Sequence, residues 1–155
     1  MDSVYVRHLS EGDWRLFRSI RLDALADALG TDHPEFRRES EFTGVRWRRR
    51  LREHAQFAVF IGARAVGLVG GQPQDADTVY LYSLWLEPAA RGLGLATLLV
   101  DAVVRWARQH DAHTVRLRVE IANTTARGVY ESLGFAVAPD NPRPHDELAM
   151  TMTVS

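Results

Sequence analysis

Two spacings of apolar residues alternate along the chain, and together they predict a domain built of both helices and strands. In some stretches apolar residues recur every three or four positions, as on one face of a helix, and in others they alternate or run on, as in strands. The helix-like stretches are residues 14–29, 45–54, 91–110 and 123–133. The strand-like stretches are residues 4–9, 57–61, 65–70, 79–86, 114–121, 135–138 and 148–152.

Capping and turn residues mark several of these boundaries. Ser10 and Asp13 stand three apart, as in a helix-capping pair, just before the first predicted helix. Gly30 is suited to end that helix because glycine readily adopts the left-handed conformation of a C-terminal cap. Residues 31–44 are polar and contain Pro34 as a breaker, so we predict an irregular loop there, placed over a site.

Composition indicates one soluble globular domain that covers residues 1–155. The chain is 46% hydrophobic and 25% charged and has no cysteine, which excludes disulfides, thiolate metal sites and a cysteine nucleophile. No apolar run approaches the ~20 residues that cross a bilayer, and the first residues lack the apolar core of a signal peptide. We therefore expect a cytoplasmic protein with no membrane partner.

Net charge argues against a protein whose main task is to bind a polyanion. Nineteen basic residues, all of them arginine, stand against twenty acidic ones, which gives a formal charge of -1. Residues 46–52 hold five arginines and could grip phosphates, but Trp47 and Leu51 lie four apart on one helical side. We favour a solvated helix face with these two residues inward, and we expect no nucleic-acid partner.

The segment 84–96 has the order strand, stop, glycine-bearing turn and helix. Pro88 ends the strand, and Gly92 and Gly94 remove side chains where a ligand must approach the backbone. The first N–H groups of the following helix favour an anion. The pattern suits a pyrophosphate, although it is neither a Walker loop nor a complete dinucleotide fingerprint. By itself it could equally be a glycine turn before an ordinary helix.

A second motif makes the pattern specific. Arg91-x-x-Gly94-x-Ala96 follows one strand, and Asn123-x-x-Ala126-x-x-x-Tyr130-x-x-x-Gly134-Phe135 follows the next. Together they resemble the two core motifs of the GNAT superfamily of N-acetyltransferases. The order of elements from residue 4 to residue 153 is also similar to that family. The resemblance implies an α/β fold with a mixed, mostly antiparallel central sheet, splayed in its middle, and helices on both faces.

The resemblance also implies a set of coenzyme contacts. Backbone groups of the splayed strand would pair with the pantetheine arm of acetyl-CoA, and N–H groups of the turn would hold its pyrophosphate. The residues matched to these contacts are Leu84, Trp85, Leu86, Arg91, Gly92, Leu93, Gly94, Leu95 and Ala96. Asn123 matches a residue that contacts the coenzyme arm, and asparagine also begins helices well. Tyr130 matches the residue that protonates the departing thiolate.

The group that removes the proton from the acceptor amine is not tied to a motif position. Glu120 near the end of one strand and Glu87 at the end of another could each serve, directly or through water, and each could instead be a surface or turn residue. Glu120 is the candidate that we retain. Tyr80 and Tyr82 could line the acceptor pocket or carry water, or could simply pack on the sheet.

The sequence thus predicts direct transfer of an acetyl group from acetyl-CoA to a small-molecule or peptide amine. The alternative is a non-catalytic sensor of acyl-CoA with the same binding turn. No pair among the six histidines has metal-ligand spacing with a third ligand, so no metal is expected. We expect the acceptor pocket to be built by the first helix and residues 31–44 and 139–146. The identity of the acceptor, the use of longer acyl groups and the choice between monomer and homodimer stay open.

Overall fold

The computed structural model describes residues 2–139 and 146–154, in which seven strands form one sheet in the order β1-β2-β3-β4-β5-β7-β6. The strands are β1 (Val4–His8), β2 (Ala55–Ile61), β3 (Arg64–Pro73), β4 (Thr78–Leu86), β5 (Thr114–Glu120), β6 (Ala136–Val137) and β7 (Glu147–Thr153). The helices are α1 (Trp14–Leu29), α2 (Pro34–Ser40), α3 (Gly44–Glu53), α4 (Leu95–Gln109) and α5 (Thr124–Ser132).

The sheet is mixed, and β4 with β5 is its parallel pair. Among the described residues the other neighbouring strands pair antiparallel, which confirms the mostly antiparallel sheet expected from the resemblance. The parallel pair needs a crossover, and α4 supplies it. β4 and β5 are neighbours at the centre of the sheet. The end of β4, which leads toward α4, therefore lies in the middle of the sheet.

Helices cover both faces of the sheet, and each face has its own apolar core. On one face α4 buries its apolar stripe, including Leu99 and Val103, against the sheet. On the other face α1 and α3 pack Phe17, Trp47 and Leu51 against the sheet. The inward orientation of Trp47 and Leu51 confirms our interpretation of the arginine-rich segment as a helix with an apolar side.

The expectation of an irregular loop over residues 31–44 is wrong, because α2 lies within it. Pro34 begins this helix rather than breaking it. At the first helical position proline lacks only an N–H that would have no acceptor, and its fixed φ suits the helix. The His33 side chain caps α2 by accepting a hydrogen bond from the Glu35 N–H.

The third predicted helix begins later than we expected, at Leu95 and not at Arg91. A short 3₁₀ turn over Pro88–Ala90 follows β4. Gly92 and Gly94 then take positive φ values of 78° and 79°, which an α-helix does not contain. The glycine turn is therefore a separate segment between strand and helix. The capping pair of Ser10 and Asp13 is confirmed, since the Ser10 N–H donates to the Asp13 carboxylate at 2.8 Å.

Candidate functional site

The two central strands separate along their length. Pairing of β4 with β5 is confined to residues 78–80, and it ends where Tyr80 lies opposite Arg116. Beyond Tyr80, residues 81–86 keep β3 as their neighbour in the described part of the sheet. The splay expected from the resemblance is confirmed. We call this V-shaped opening between residues 81–86 of β4 and β5 the cleft.

The glycine turn lies at the open end of β4, next to the cleft. A Cβ added to Gly92 or Gly94 would meet no atom within 4 Å, so the space beside both backbones is open. Gly94 is the N-cap of α4 and offers no side chain to the first-turn N–H groups. Leu95 anchors the helix in the core, while the Leu93 side chain points to solvent. Open space beside free helical N–H groups fits the diphosphate of a nucleotide.

Arg91 is held at the base of this turn. Its Nε donates to the Leu86 carbonyl at 3.1 Å, and its Nη2 donates to Asp27 Oδ2 at 2.8 Å. The Trp85 indole N–H donates to the same Asp27 oxygen at 2.9 Å. These bonds, first that from Trp85 and then that from Arg91, lower the pKa of Asp27. Arg91 thus adds positive charge beside the turn while it ties the turn to β4 and α1.

Asn123 is the N-cap of α5 and Tyr130 lies within this helix, which packs against the core on the α4 face of the sheet. Asn123 Oδ1 accepts a hydrogen bond from the Ala126 N–H at 3.0 Å, so the predicted role of Asn123 in starting the helix is confirmed. Tyr130 is half-buried against the core, with its ring edge-on to Phe135 at 6.0 Å between centroids. Burial, and then the nearby phenol of Tyr80, raise the pKa of Tyr130 above its usual value. Tyr80 is the last residue of β4 to pair with β5, so it marks the apex of the cleft. Since the Tyr80 phenol is close enough to affect Tyr130, Tyr130 lies near this apex.

The two candidate carboxylates differ in their surroundings. Glu120 is the last residue of β5, is exposed, and lies opposite Glu147 on β7. Glu87 accepts a hydrogen bond from Arg64 on β3. That bond holds Glu87 on the β3 side of β4, away from the cleft. Of the two, Glu120 is the carboxylate left open to an acceptor.

Tyr82 belongs to a hydrogen-bonded cluster that we did not predict from the sequence. Its ring stacks on that of Tyr80 at 6.1 Å between centroids and lies over Gly70 of β3. The Tyr82 hydroxyl accepts from Gln56 Nε2 at 2.7 Å and bonds to His54 Nδ1. Since Gln56 is the donor, the hydroxyl proton points to His54, which is then unprotonated at Nδ1. Burial and the charge of Arg50 lower the pKa of His54, in agreement with a neutral ring.

A second cluster surrounds Glu39, whose side chain is 0% exposed. Arg21 donates to both Glu39 oxygens, at 3.1 and 3.2 Å, and Arg50 Nη1 donates to Oε1 at 2.7 Å. Burial alone would raise the pKa of Glu39, but the hydrogen bonds and charges of the arginines outweigh it and lower the pKa to about 2. Arg21 Nη1 also donates to Ser83 Oγ on β4 at 3.0 Å.

The Glu39 cluster connects α1, α2 and α3 with β4, and the Tyr82 cluster connects β4 with Gln56 of β2 and with His54 at the end of α3. The sequence predicted that the first helix and residues 31–44 help to form the acceptor pocket, and these segments supply Arg21 and Glu39. The third predicted segment, residues 139–146, lies for the most part outside the described residues. A signal for one cluster was present in the sequence, because Gln56 interrupts an otherwise apolar strand. No local pattern marks Arg21, Glu39 or Ser83.

The described residues show neither a metal site nor a membrane-spanning helix. Residues 2–139 and 146–154 contain no group of three or more His, Cys, Asp or Glu side chains that could hold a metal ion. Among the helices in that part of the chain, none is both long and apolar enough to span a membrane.

Comparison with known proteins identifies a family. A model described as the acetyltransferase (GNAT) family matches residues 22–135, more than half of the chain. The chain is 38% identical over 77 residues to a mycothiol acetyltransferase of Corynebacterium glutamicum, a match that covers 50% of this chain and 26% of that protein. It is 35% identical over 98 residues to N-alpha-acetyltransferase 40 of Saccharomyces cerevisiae, which covers 57% of this chain and 34% of that protein.

These matches span about a quarter to a third of the length of the two relatives. The fold itself matches over nearly the whole chain. It aligns with the crystal structure of PaiA N-acetyltransferase from Thermoplasma acidophilum in complex with coenzyme A, with a TM-score of 0.76 and 16% identity. That alignment covers 97% of this chain and 99% of the other. At this identity the likeness shows a common fold.

Proposed function

The chain belongs to the GNAT family of acetyltransferases, and we propose that residues 1–155 form one domain that transfers the acetyl group of acetyl-CoA directly to a primary amine. The observation that carries this proposal is the position of the glycine turn, whose open backbone at Gly92 and Gly94 lies at the mouth of the cleft. A nucleotide diphosphate held there would send its thioester arm along residues 84–86.

We propose that the coenzyme is held mainly by backbone groups. We assign the pyrophosphate to the N–H groups of residues 92–96, since the Arg91 N–H donates to the Pro88 carbonyl at 3.3 Å. The N-terminus of α4 adds about 0.3 to 1 kcal/mol per charge. Because this contribution is small, several directed N–H bonds must supply most of the affinity. We assign the pantetheine arm to the backbone of Leu84, Trp85 and Leu86, which has no β5 partner to compete for it. Acetyl-CoA, when bound, supplies the activated acetyl group.

Tyr130 is our candidate for the general acid. A thiolate whose conjugate thiol has a pKa near ~8.5 leaves more readily if a proton donor stands beside it. Burial raises the pKa of Tyr130, so the phenol is protonated throughout the neutral range. Its place near the apex of the cleft supports this role, because the coenzyme arm would end on that side.

The acceptor must lose a proton before it can react. An alkylammonium with a pKa near ~10.4 costs about 4 to 5 kcal/mol to deprotonate at pH 7. We assign the removal of this proton to Glu120, directly or through water, because its carboxylate is exposed at the end of β5 whereas Glu87 is bound to Arg64. The cytoplasmic location expected from the sequence stays a prediction.

A thiol-release screen tests the proposed activity. Incubated with acetyl-CoA and a varied library of amines, the chain should release free coenzyme A thiol with at least one class of acceptor. The library should include small metabolic amines, polyamines, lysine side chains and peptide N-termini, so that the class is found together with the activity. Binding of coenzyme A without thiol release for any amine would contradict the enzyme and favour the acyl-CoA sensor.

Replacement of Glu120 by glutamine tests the assigned base. We expect Glu120→Gln to lower kcat/KM at neutral pH by about 10- to 100-fold, and we expect its activity to recover toward high pH, where more of the amine is already neutral. The pH profile of kcat/KM is the measurement. Asp101→Asn, on an exposed position of α4, is the control and should keep the wild-type profile. An unaltered profile for Glu120→Gln would remove Glu120 from this role.

A further inference from the structure

Strand β4 changes register against β3 just before the cleft residues. Gly70 of β3 pairs with Tyr82, and Leu68 pairs with Trp85. Two steps along β3 therefore match three steps along β4, which is the mark of a β-bulge. The extra residue lies between Tyr82 and Trp85, at the point where β4 has already separated from β5.

Ser83 lies in this bulge with a φ of 58°, in the left-handed region. Glycine is the usual residue at such a position, because a side chain there is disfavoured. A contact that favours this conformation therefore biases the bulge toward the shape seen in the structure. The Ser83 hydroxyl has that contact, since Arg21 Nη1 donates to its Oγ at 3.0 Å.

Arg21 is itself fixed by a buried partner. Its Nε and Nη2 donate to the two carboxylate oxygens of Glu39, which leaves Nη1 aimed at Ser83. Glu39 takes a third bond from Arg50 on α3. The guanidinium plane is rigid, so a two-point bond to Glu39 sets the direction of the third N–H. Residues of α1, α2 and α3 thus form one hydrogen-bonded network, and Arg21 connects this network to the Ser83 hydroxyl of β4.

The bulge decides where the backbone of the next residues points. A bulge bends its strand and increases the local twist, so it re-aims the groups that follow. The residues that follow Ser83 are Leu84, Trp85 and Leu86, to which we assigned the pantetheine arm. If the bulge relaxes, these groups turn away from the cleft, whereas Leu95, buried in the core, keeps the start of α4 in place.

We propose that Arg21, oriented by Glu39, is a positioning residue that holds the Ser83 bulge, and thereby sets the backbone of residues 84–86 for the coenzyme arm. This inference rests on the proposed function. It gives α1 and α2, which we predicted to help form the acceptor pocket, a part in binding acetyl-CoA. The reason is that the contact that shapes β4 comes from these two helices.

Two substitutions at Ser83 separate positioning from stability. Ser83→Ala removes the hydroxyl and keeps the backbone strain of a positive φ. Ser83→Gly removes the hydroxyl and also relieves that strain. We expect both variants to bind coenzyme A about 5- to 10-fold more weakly, because one hydrogen bond no longer biases the bulge toward the competent form. We expect Tm to fall for Ser83→Ala and to recover in Ser83→Gly. A merely structural role would make affinity recover together with Tm.

Calorimetry with two probes locates the effect. Coenzyme A carries the pantetheine arm, and adenosine 3′,5′-bisphosphate lacks it. We expect the Ser83 variants to weaken binding of coenzyme A and to leave binding of the bisphosphate unchanged. Arg21→Gln should show the same selective loss, and it should add nothing when combined with Ser83→Ala, because both remove one contact. Arg15→Gln removes an exposed charge from the same helix and is the control.

The outcomes distinguish this inference from the proposed function. Wild-type affinity for coenzyme A in both Ser83 variants would overturn the positioning role alone. Equal weakening of the two probes, or additive effects of the Arg21 and Ser83 substitutions, would also overturn it. Failure of the wild-type chain to bind coenzyme A would overturn the proposed function, and this inference with it.

Discussion

Tyr130→Phe is expected to lower kcat by about 10²-fold with little change in the affinity for coenzyme A. The substitution removes one oxygen and keeps the ring that packs against Phe135, so the fold and the cleft should persist. The hydroxyl acts only as the thiol departs, which confines its loss to the chemical step. Steady-state kinetics with acetyl-CoA, together with calorimetry of coenzyme A binding, measure the two effects separately.

The pH dependence adds a check on the same residue. Because burial raises the pKa of Tyr130 above its usual value near 10, the wild-type acid stays protonated through the neutral range. Loss of the proton on Tyr130 should therefore lower kcat only at strongly alkaline pH. Tyr5→Phe, on the edge strand β1, is the matched control and should leave kcat unchanged. Equal turnover of Tyr130→Phe and the wild type would remove Tyr130 from the role of acid.

Gly94→Val is expected to weaken coenzyme A binding by about 10²-fold, which corresponds to the loss of two N–H bonds to a charged group. The Cβ at this position points into space that is open in the structure, and this is the space that we assign to the pyrophosphate. The branched side chain would fill it and keep the phosphates from the backbone. Isothermal calorimetry with coenzyme A measures the loss directly.

Backbone strain must be separated from this effect. Gly94 has a φ of 79°, and a non-glycine residue in that region costs about 1 to 3 kcal/mol of stability. Gly62→Val, at a φ of 61° in the β2–β3 turn and outside the glycine turn, carries comparable strain and is the control. Gly94→Ala should show a smaller loss of affinity than Gly94→Val. If Gly94→Val is folded and retains wild-type affinity, the glycine turn does not hold the coenzyme.

Most of the secondary structure could be predicted because its signals are local. The apolar stripe of α4 and the alternation of β5 arise from residues within one element, and each was recognised from its spacing. The error at Pro34 has a local cause too, because proline both breaks and begins helices. Which of these happens depends on whether the chain before it is already helical, and His33 is extended.

The residues proposed to contact the coenzyme could also be predicted from the sequence. The glycine turn and the motif around Tyr130 each span few residues, and their conformations depend on those residues. Their separation along the chain, with α4 and β5 between them, matched the family and made the resemblance specific. The roles of Leu84, Trp85 and Leu86 are backbone roles, so the sequence could suggest them only through the resemblance.

The sequence by itself determined most of the order of helices and strands, the glycine turn and the family, because these follow from spacing and from residues close together in the chain. Only the tertiary structure decided how β4 is held in shape. Arg21 meets Glu39 across 18 residues and Ser83 across 62, and these polar side chains have no periodic pattern. Packing of three helices on the sheet brings them together, and burial then makes their mutual hydrogen bonds obligatory, since a buried charge without a partner is unfavourable.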